Sequence, residues 1–394
     1  MDEQVEGDTT PRAYFDHAAT TPMRPEAIEA MRPYLDGRFG NPSGSHAESR
    51  RARLALDDAR EQVAGLLGAD LGEVVFTSGG TEADNLAVAG GWHANAFDNH
   101  PMAALVCSAM EHHAVLNACR ALARRTGAEL REVRSDQNGI IDLDQMAEAC
   151  TPEVGLVSVM AVNNEIGTVQ PLGAVADIVR AHSPLAVLHT DAVQAAPWLD
   201  VTTLAGSCDL IAVSAHKFGG PKGVGALVVR AGTGLEPLLY GGGQERERRS
   251  GTPDVAGIVA MAAALAVTVA ERDRITARVV ALRDRLGDAL VATVAGVAET
   301  GDRRQRTPGH LHLRFSGIES EAMVVLLDAA GVAVSAGAAC SSGAVEASHV
   351  LEAMGLDRAQ ATTGIRFSLG STTTEADVDL ALAVVPDVVA QLRD

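Results

Sequence analysis

Short apolar runs recur along the middle of the chain, separated by stretches in which apolar residues return every three or four positions. The runs at 73–77, 104–108, 156–160, 186–190, 210–213 and 226–229 predict strands. Between them, 82–93, 114–125 and 172–181 carry the helical period. Buried strands alternating with amphipathic helices predict an α/β fold, with a mainly parallel sheet covered on both faces. Ahead of this block, 25–34 and 48–67 also read as helices, and 40–46 is a loop rich in Gly, Ser and Pro.

After residue 255 the pattern changes. An alanine-rich helix at 257–270 and a further helix at 273–290 lead into shorter strands at 310–315, 332–335 and 365–369. This predicts a large domain over 14–265, whose first residues pack with a smaller α+β domain over 266–394. No fixed-period repeat or low-complexity linker divides the chain.

Composition narrows the class. Apolar residues make up 47% of the 394, and aromatics only 3%, so Val, Ala and Leu must fill the cores. The formal net charge of −19 argues against sequence-independent nucleic-acid binding, which needs a basic surface to neutralise phosphates. Residues 1–12 are polar and acidic, unlike a secretory signal. The stretch 257–270 is too short and alanine-rich for a membrane span. Five cysteines without paired spacing do not form a disulfide framework. A soluble cytoplasmic enzyme is the expectation, with no nucleic-acid or membrane partner.

Only two of the 32 basic residues are lysines, Lys217 and Lys222, and both lie in one loop after the run 210–213. A chain that uses arginine for ordinary positive charge keeps lysine where guanidinium cannot substitute. A primary amine can lose its proton and join an aldehyde as a Schiff base; a guanidinium cannot. Ser214 and His216 flank Lys217.

Three other loops follow predicted strands, where ligands sit in open α/β sheets. In Thr77-Ser78-Gly79-Gly80-Thr81-Glu82 a strand turns through two glycines into a helix start, which suits a phosphate. An ordinary threonine cap with Glu82 in the first turn reads equally well from that segment alone. His189-Thr190-Asp191-Ala192-Val193-Gln194 ends an apolar strand in an acid, which suits a protonated ring nitrogen or, more plainly, a helix cap. Asn163-Asn164-Glu165-Ile166-Gly167 says little by itself. Together, a phosphate cup, an acid for a pyridine nitrogen and a lysine amine are what pyridoxal phosphate requires.

Cys107, Cys119, Cys150 and Cys208 read as small core residues. Cys340 lies among tiny residues, Ser335 to Gly343, where an accessible thiol is a hazard unless used, so it reads as a nucleophile. His310 and His312 alternate on a strand without a third ligand nearby, which does not define a metal site.

Asp16-His17-Ala18-Ala19-Thr20-Thr21, Ser78-Gly79-Gly80-Thr81-Glu82, Asn163-Asn164-Glu165-Ile166-Gly167, Ser214-Ala215-His216-Lys217 and Arg249-Ser250-Gly251-Thr252 resemble the cysteine desulfurases of the NifS/IscS group. The match runs from Tyr14 to the C-terminus, and the spacing from Cys340 to Arg366 resembles the branch with the long cysteine loop. The resemblance implies a homodimeric fold-type-I pyridoxal phosphate enzyme with a seven-stranded, mainly parallel sheet. It implies that Lys217 binds the cofactor aldehyde. Gly80, Thr81, Ser214 and His216 would hold the phosphate, with Thr252 from the neighbouring subunit. Asp191 would pair with the ring nitrogen, Gln194 and Asn164 with the ring oxygen, and His112 would stack on the ring and handle protons. Arg366, with Asn41 and Asn164, would bind the carboxylate of L-cysteine. Cys340 would take the sulfur as a persulfide for an acceptor protein in iron–sulfur assembly or another thiolation pathway. Residues 1–13 precede the usual start of the family and are expected to be disordered. The rival expectations are a selenocysteine lyase or another fold-type-I enzyme such as an aminotransferase, and a scaffold that only docks sulfur acceptors.

Overall fold

The computed structural model describes residues 12–97, 102–336 and 347–394. The start of the expected leader, residues 1–11, and Cys340 lie outside them. Ala13 is already in place: β1 (Ala13–Tyr14) pairs in parallel with Val332 and Ala333.

The large sheet is built from β2 (Val74–Thr77), β3 (Ala104–Ser108), β4 (Glu129–Val133), β5 (Val154–Ser158), β6 (Val187–Asp191), β7 (Leu210–Ser214) and β8 (Gly225–Val229). Its order is β2-β8-β7-β6-β5-β3-β4, and only β8 runs antiparallel to its neighbours. Alternate residues of one strand enter opposite cores, as a period of two requires. Val74, Phe76 and Val106 pack on one side, whereas Val75, Leu105 and Cys107 pack on the other. β4 has no hydrophobic signature because it is the sheet edge; in Glu-Leu-Arg-Glu-Val only Val133 is buried.

A second core surrounds an antiparallel sheet of β9 (Val297–Glu299), β10 (His310–Phe315) and β12 (Gly364–Ser368), with β11 (Val332–Ala333) beside β1. Phe15 from the N-terminal segment joins Phe315 and Phe367 there. The two helices expected at 257–270 and 273–290 are one, Val255–Thr293. Glu271, Arg272, Asp273 and Arg274 supply a charged junction but no Gly or Pro to break it. Arg24 and Arg274 hold Glu271 at 3.0 and 2.6 Å. Ala260 and Ala264 belong to the first core, and Val279 and Leu286 to the second. The boundary expected near 265 therefore falls inside a continuous helix. Among the described residues this helix alone is long and apolar enough to cross a membrane, and here its buried apolar residues pack into the two cores.

The helix expected at 82–93 runs from Gly80 to Phe97 and passes through a π-helical segment, Leu86–Gly90. It puts Gly80, Thr81 and Asp84 at the carboxyl edge of the sheet.

Candidate active site

The carboxyl ends of β2, β6 and β7, the turn after β1 and the strand β12 converge on a cavity of about 450 Å³. Its wall contains Gly80, Thr81, His112, Asn164, Asp191, Gln194, Ser214, His216, Lys217 and Arg366, together with Asp16, Ala18, Ala19, Asp84, Val193 and Ser335. Ten of the residues singled out from the sequence thus share one site, although they come from loops far apart in the chain.

Lys217 ends the 3₁₀ turn Ala215–Lys217 that follows β7. Its Nζ donates to the carbonyls of Ala18 and Ala19 at 2.6 and 2.8 Å. Burial, aided by the Arg366 charge, pushes its pKa down to about 8, while Asp191 and Asp16 oppose the shift. A substantial share of the amine is therefore neutral near physiological pH, the form that can attack a carbonyl carbon or take up a proton. His216 shares a 3.1 Å hydrogen bond with Thr20 Oγ1 and is lowered to about 4 by burial and the neighbouring lysines.

Asp191 closes β6, and one carboxylate oxygen accepts the Val193 N–H at 2.8 Å. Burial, then the nearby Asp84, raise its pKa to about 7. A cation placed beside it would favour the charged form, and a protonated ring nitrogen is such a cation. Gln194 turns its amide N–H to Ala18 O at 2.7 Å. Gly79 adopts φ +141°, closed to most side chains, and a Cβ on Gly80 would stand 3.0 Å from the Val193 methyl. The glycine pair thus lets the helix start approach the cavity wall, with Thr81 and Ser214 hydroxyls beside it.

Arg366 reaches in from the second core. Its Nη1 donates to Asn164 O at 2.8 Å and its Nη2 to Asp16 Oδ1 at 2.7 Å, while Nε is buried without a partner. His112 caps the helix His113–Thr126, its Nδ1 accepting the Ala114 N–H at 3.1 Å. Partial burial and the Lys217 charge lower it to about 4, so it faces the cavity as a neutral imidazole.

A buried layer behind Asp191 had no role in the sequence reading. Asp84 Oδ1 and His189 Nε2 face each other at 3.5 Å, and His189 Nδ1 meets Ser158 Oγ at 2.9 Å. Burial raises Asp84 to about 8 and lowers His189 to about 4. Glu111 accepts the Met160 N–H at 2.7 Å and is raised well above the carboxylate range, chiefly by burial. The one available signal was the spacing of His189 and Asp191, which puts both on one face of β6.

Two expected residues stand apart from the cavity wall of this chain. Asn41 is exposed and accepts the Ser43 N–H at 2.9 Å, and Thr252, assigned to a neighbouring subunit, is exposed. His310 and His312 are buried against Thr307 and Thr300 at 2.8 and 3.0 Å, outside the cavity wall.

The class-V aminotransferase family profile matches residues 13–381. An IscS-like cysteine desulfurase of Mycobacterium tuberculosis is 43% identical over 384 residues, covering 97% of both chains. A solved NifS-like protein superposes with a TM-score of 0.89 at 34% identity, covering 97% of this chain and all of the other. SspA, solved in complex with cysteine, reaches 0.77 at 31% identity, covering 92% of this chain and all of that one. Members of this family use pyridoxal phosphate, and the donor set suits it: an amine for the aldehyde, a buried acid for the ring nitrogen, and hydroxyls at a helix start for the phosphate. The chain belongs to the class-V aminotransferase family, among its cysteine desulfurases.

Proposed function

We propose that the protein converts L-cysteine to L-alanine and passes the sulfur, held as a persulfide on Cys340, to an acceptor protein. The observation that carries this reading is the joint placement of Lys217, Asp191 and Arg366 around one cavity. When bound, pyridoxal phosphate supplies an aldehyde carbon and a ring that takes up the electron pair released at a substrate Cα.

The residues have separate tasks. Lys217 Nζ would hold the cofactor through its aldehyde and, as a free amine, would receive the substrate Cα proton. Its pKa of about 8 suits both. Asp191 would keep a proton on the ring nitrogen, and Thr81, Ser214, His216 and the Gly80 backbone would hold the phosphate. Gln194 and Asn164 would contact the ring oxygen. His112, neutral with its Nδ1 taken by the Ala114 N–H, would stack on the ring and present Nε2–H as a donor to the reacting thiol. Arg366 binds the substrate carboxylate, with Asn164 and Asn41 assisting. The Cys340 thiolate attacks the substrate sulfur; the carbon–sulfur electron pair stays with the carbon skeleton, which gains a proton and leaves as alanine.

A second copy of the chain would complete the phosphate site through Thr252. Phe39 and Tyr240, 75% and 79% exposed, offer apolar surface for that contact. The acidic chain would act in the cytoplasm.

The test is alanine released from L-cysteine with a reductant present. Wild type should form alanine and a persulfide on Cys340. Lys217→Ala should form neither, and Cys340→Ala should lose turnover while keeping the cofactor's absorbance. Full turnover by Cys340→Ala would overturn the persulfide step, and alanine formed only from selenocysteine would overturn the substrate.

A further inference from the structure

The turn after β1 contacts both cations of the cavity, although only as part of a motif did the sequence mark it. Ala18 and Ala19 carbonyls take the Lys217 amine, and the Asp16 carboxylate takes Arg366. We propose that Asp16 is an internal competitor of the substrate carboxylate: it occupies Arg366 in the ligand-free protein, and substrate binding exchanges one carboxylate for another. This inference rests on Arg366 being the substrate's carboxylate site.

The geometry of the pair supports an exchangeable contact. The Arg366 side chain is 6% exposed, whereas that of Asp16 is 24% exposed, so the carboxylate is the partner open to displacement. Both line the cavity that contains Lys217. Asp16 uses one oxygen on Nη2 and leaves Nε without a partner. Nε and Nη2 form one edge of the guanidinium fork, and a two-oxygen ligand on that edge makes the stronger, bidentate pair.

The backbones on both sides are fixed, so only a side chain has to turn. Arg366 pairs with His312 across β10 and exchanges backbone hydrogen bonds with Ser335 at 2.8 and 3.2 Å. The Asp16 carbonyl accepts from Tyr14 OH at 3.0 Å, Ala19 N–H at 3.1 Å and Thr20 N–H at 3.3 Å. A second carboxylate on Arg366 would face Asp16 as a like charge across a few ångströms, and the interaction therefore opposes binding until Asp16 turns away. Its presence keeps Arg366 aimed at the cavity and raises the affinity threshold for stray carboxylates.

The experiment measures equilibrium binding to the cofactor-loaded protein by its absorbance. The probes are L-alanine and L-alaninamide, which differ in the carboxylate. Asp16→Asn keeps an oxygen acceptor for Arg366 and removes the charge. It should bind L-alanine about tenfold more tightly and leave L-alaninamide unchanged. Asp16→Ser, a smaller uncharged side chain, should shift in the same direction. Arg366→Lys should weaken L-alanine selectively. L-alanine binding that is unchanged or weaker in both Asp16 variants, with Arg366→Lys still selective, would overturn the competitor and leave the carboxylate site standing. An Arg366→Lys protein that no longer loses L-alanine selectively would remove the site and the competitor together.

Discussion

Arg60 and Arg366 are both buried arginines facing a carboxylate, and their surroundings give them opposite uses. Arg60 donates Nη1 and Nη2 to the two oxygens of Glu245 at 2.8 and 2.6 Å and gives Nη1 also to Val74 O at 2.7 Å. Glu245 takes the Phe76 N–H as well, at 2.9 Å, and the guanidinium lies 4.7 Å from the Phe76 ring. Both Nη groups and both carboxylate oxygens are used inside the protein. The pair pins a short turn in which Glu245, Arg246 and Glu247 have φ of 51°, 57° and 66°, a left-handed conformation that side chains disfavour. Both arginines border cavities, but Arg366 shares its own with Lys217 and Asp191, meets Asp16 through one oxygen and keeps a buried Nε unpaired. A pair that uses both carboxylate oxygens fixes backbone, and one held through a single oxygen is open to exchange.

The sharpest way to break this contrast is Arg60→Ala. Leaving Glu245 buried without its partner should cost about 3–5 kcal/mol of stability, with normal cysteine turnover per folded molecule. A denaturant midpoint equal to that of wild type would show the pair is not structural. Arg366→Lys should reverse the pattern. Losing a charged, planar hydrogen-bond fork should lower kcat/KM for L-cysteine roughly 10- to 100-fold, the equivalent of about 1.5–3 kcal/mol, and leave the midpoint nearly unmoved. Equal loss of stability in the two variants would erase the distinction.

The smallest effect concerns the acids behind the cavity. In the cofactor-free protein Asp84, raised to about 8, and Glu111, held well above its usual range by burial, keep protons that the unfolded chain releases above pH ~4.5. Their stabilisation is complete at low pH and is lost as pH rises through the folded pKa. Above pH ~6.5 histidines are increasingly neutral in the unfolded chain too and oppose that slope less and less. Stability should therefore fall from pH ~6.5 to 8, by up to about 1.4 kcal/mol per pH unit for each group that loses its proton. Asp84→Asn should flatten the fall. Thermal midpoints across that range check it, and a midpoint that climbs toward pH 8 would contradict the buried protons.

The sequence by itself determined most of the architecture, because hydrophobic period is a local property. Strands buried on both faces, such as 104–108 and 210–213, announce themselves as apolar runs, whereas the edge strand Glu129–Val133 does not. Lys217 stood out by chemistry, since arginine takes nearly every other basic position. Asp191 stood out as an acid ending an apolar strand. The meaning of Asp16, Asp84, Glu111 and His189 was decided only by tertiary structure. An acid on a turn, a helix or a strand looks alike in one dimension. Its role depends on whether burial raises its pKa, as at Asp84, or a cation from 350 residues away meets it, as Arg366 meets Asp16. Such pairings arise from strands and turns brought together by the second core, and no local pattern of residues encodes the distance between them.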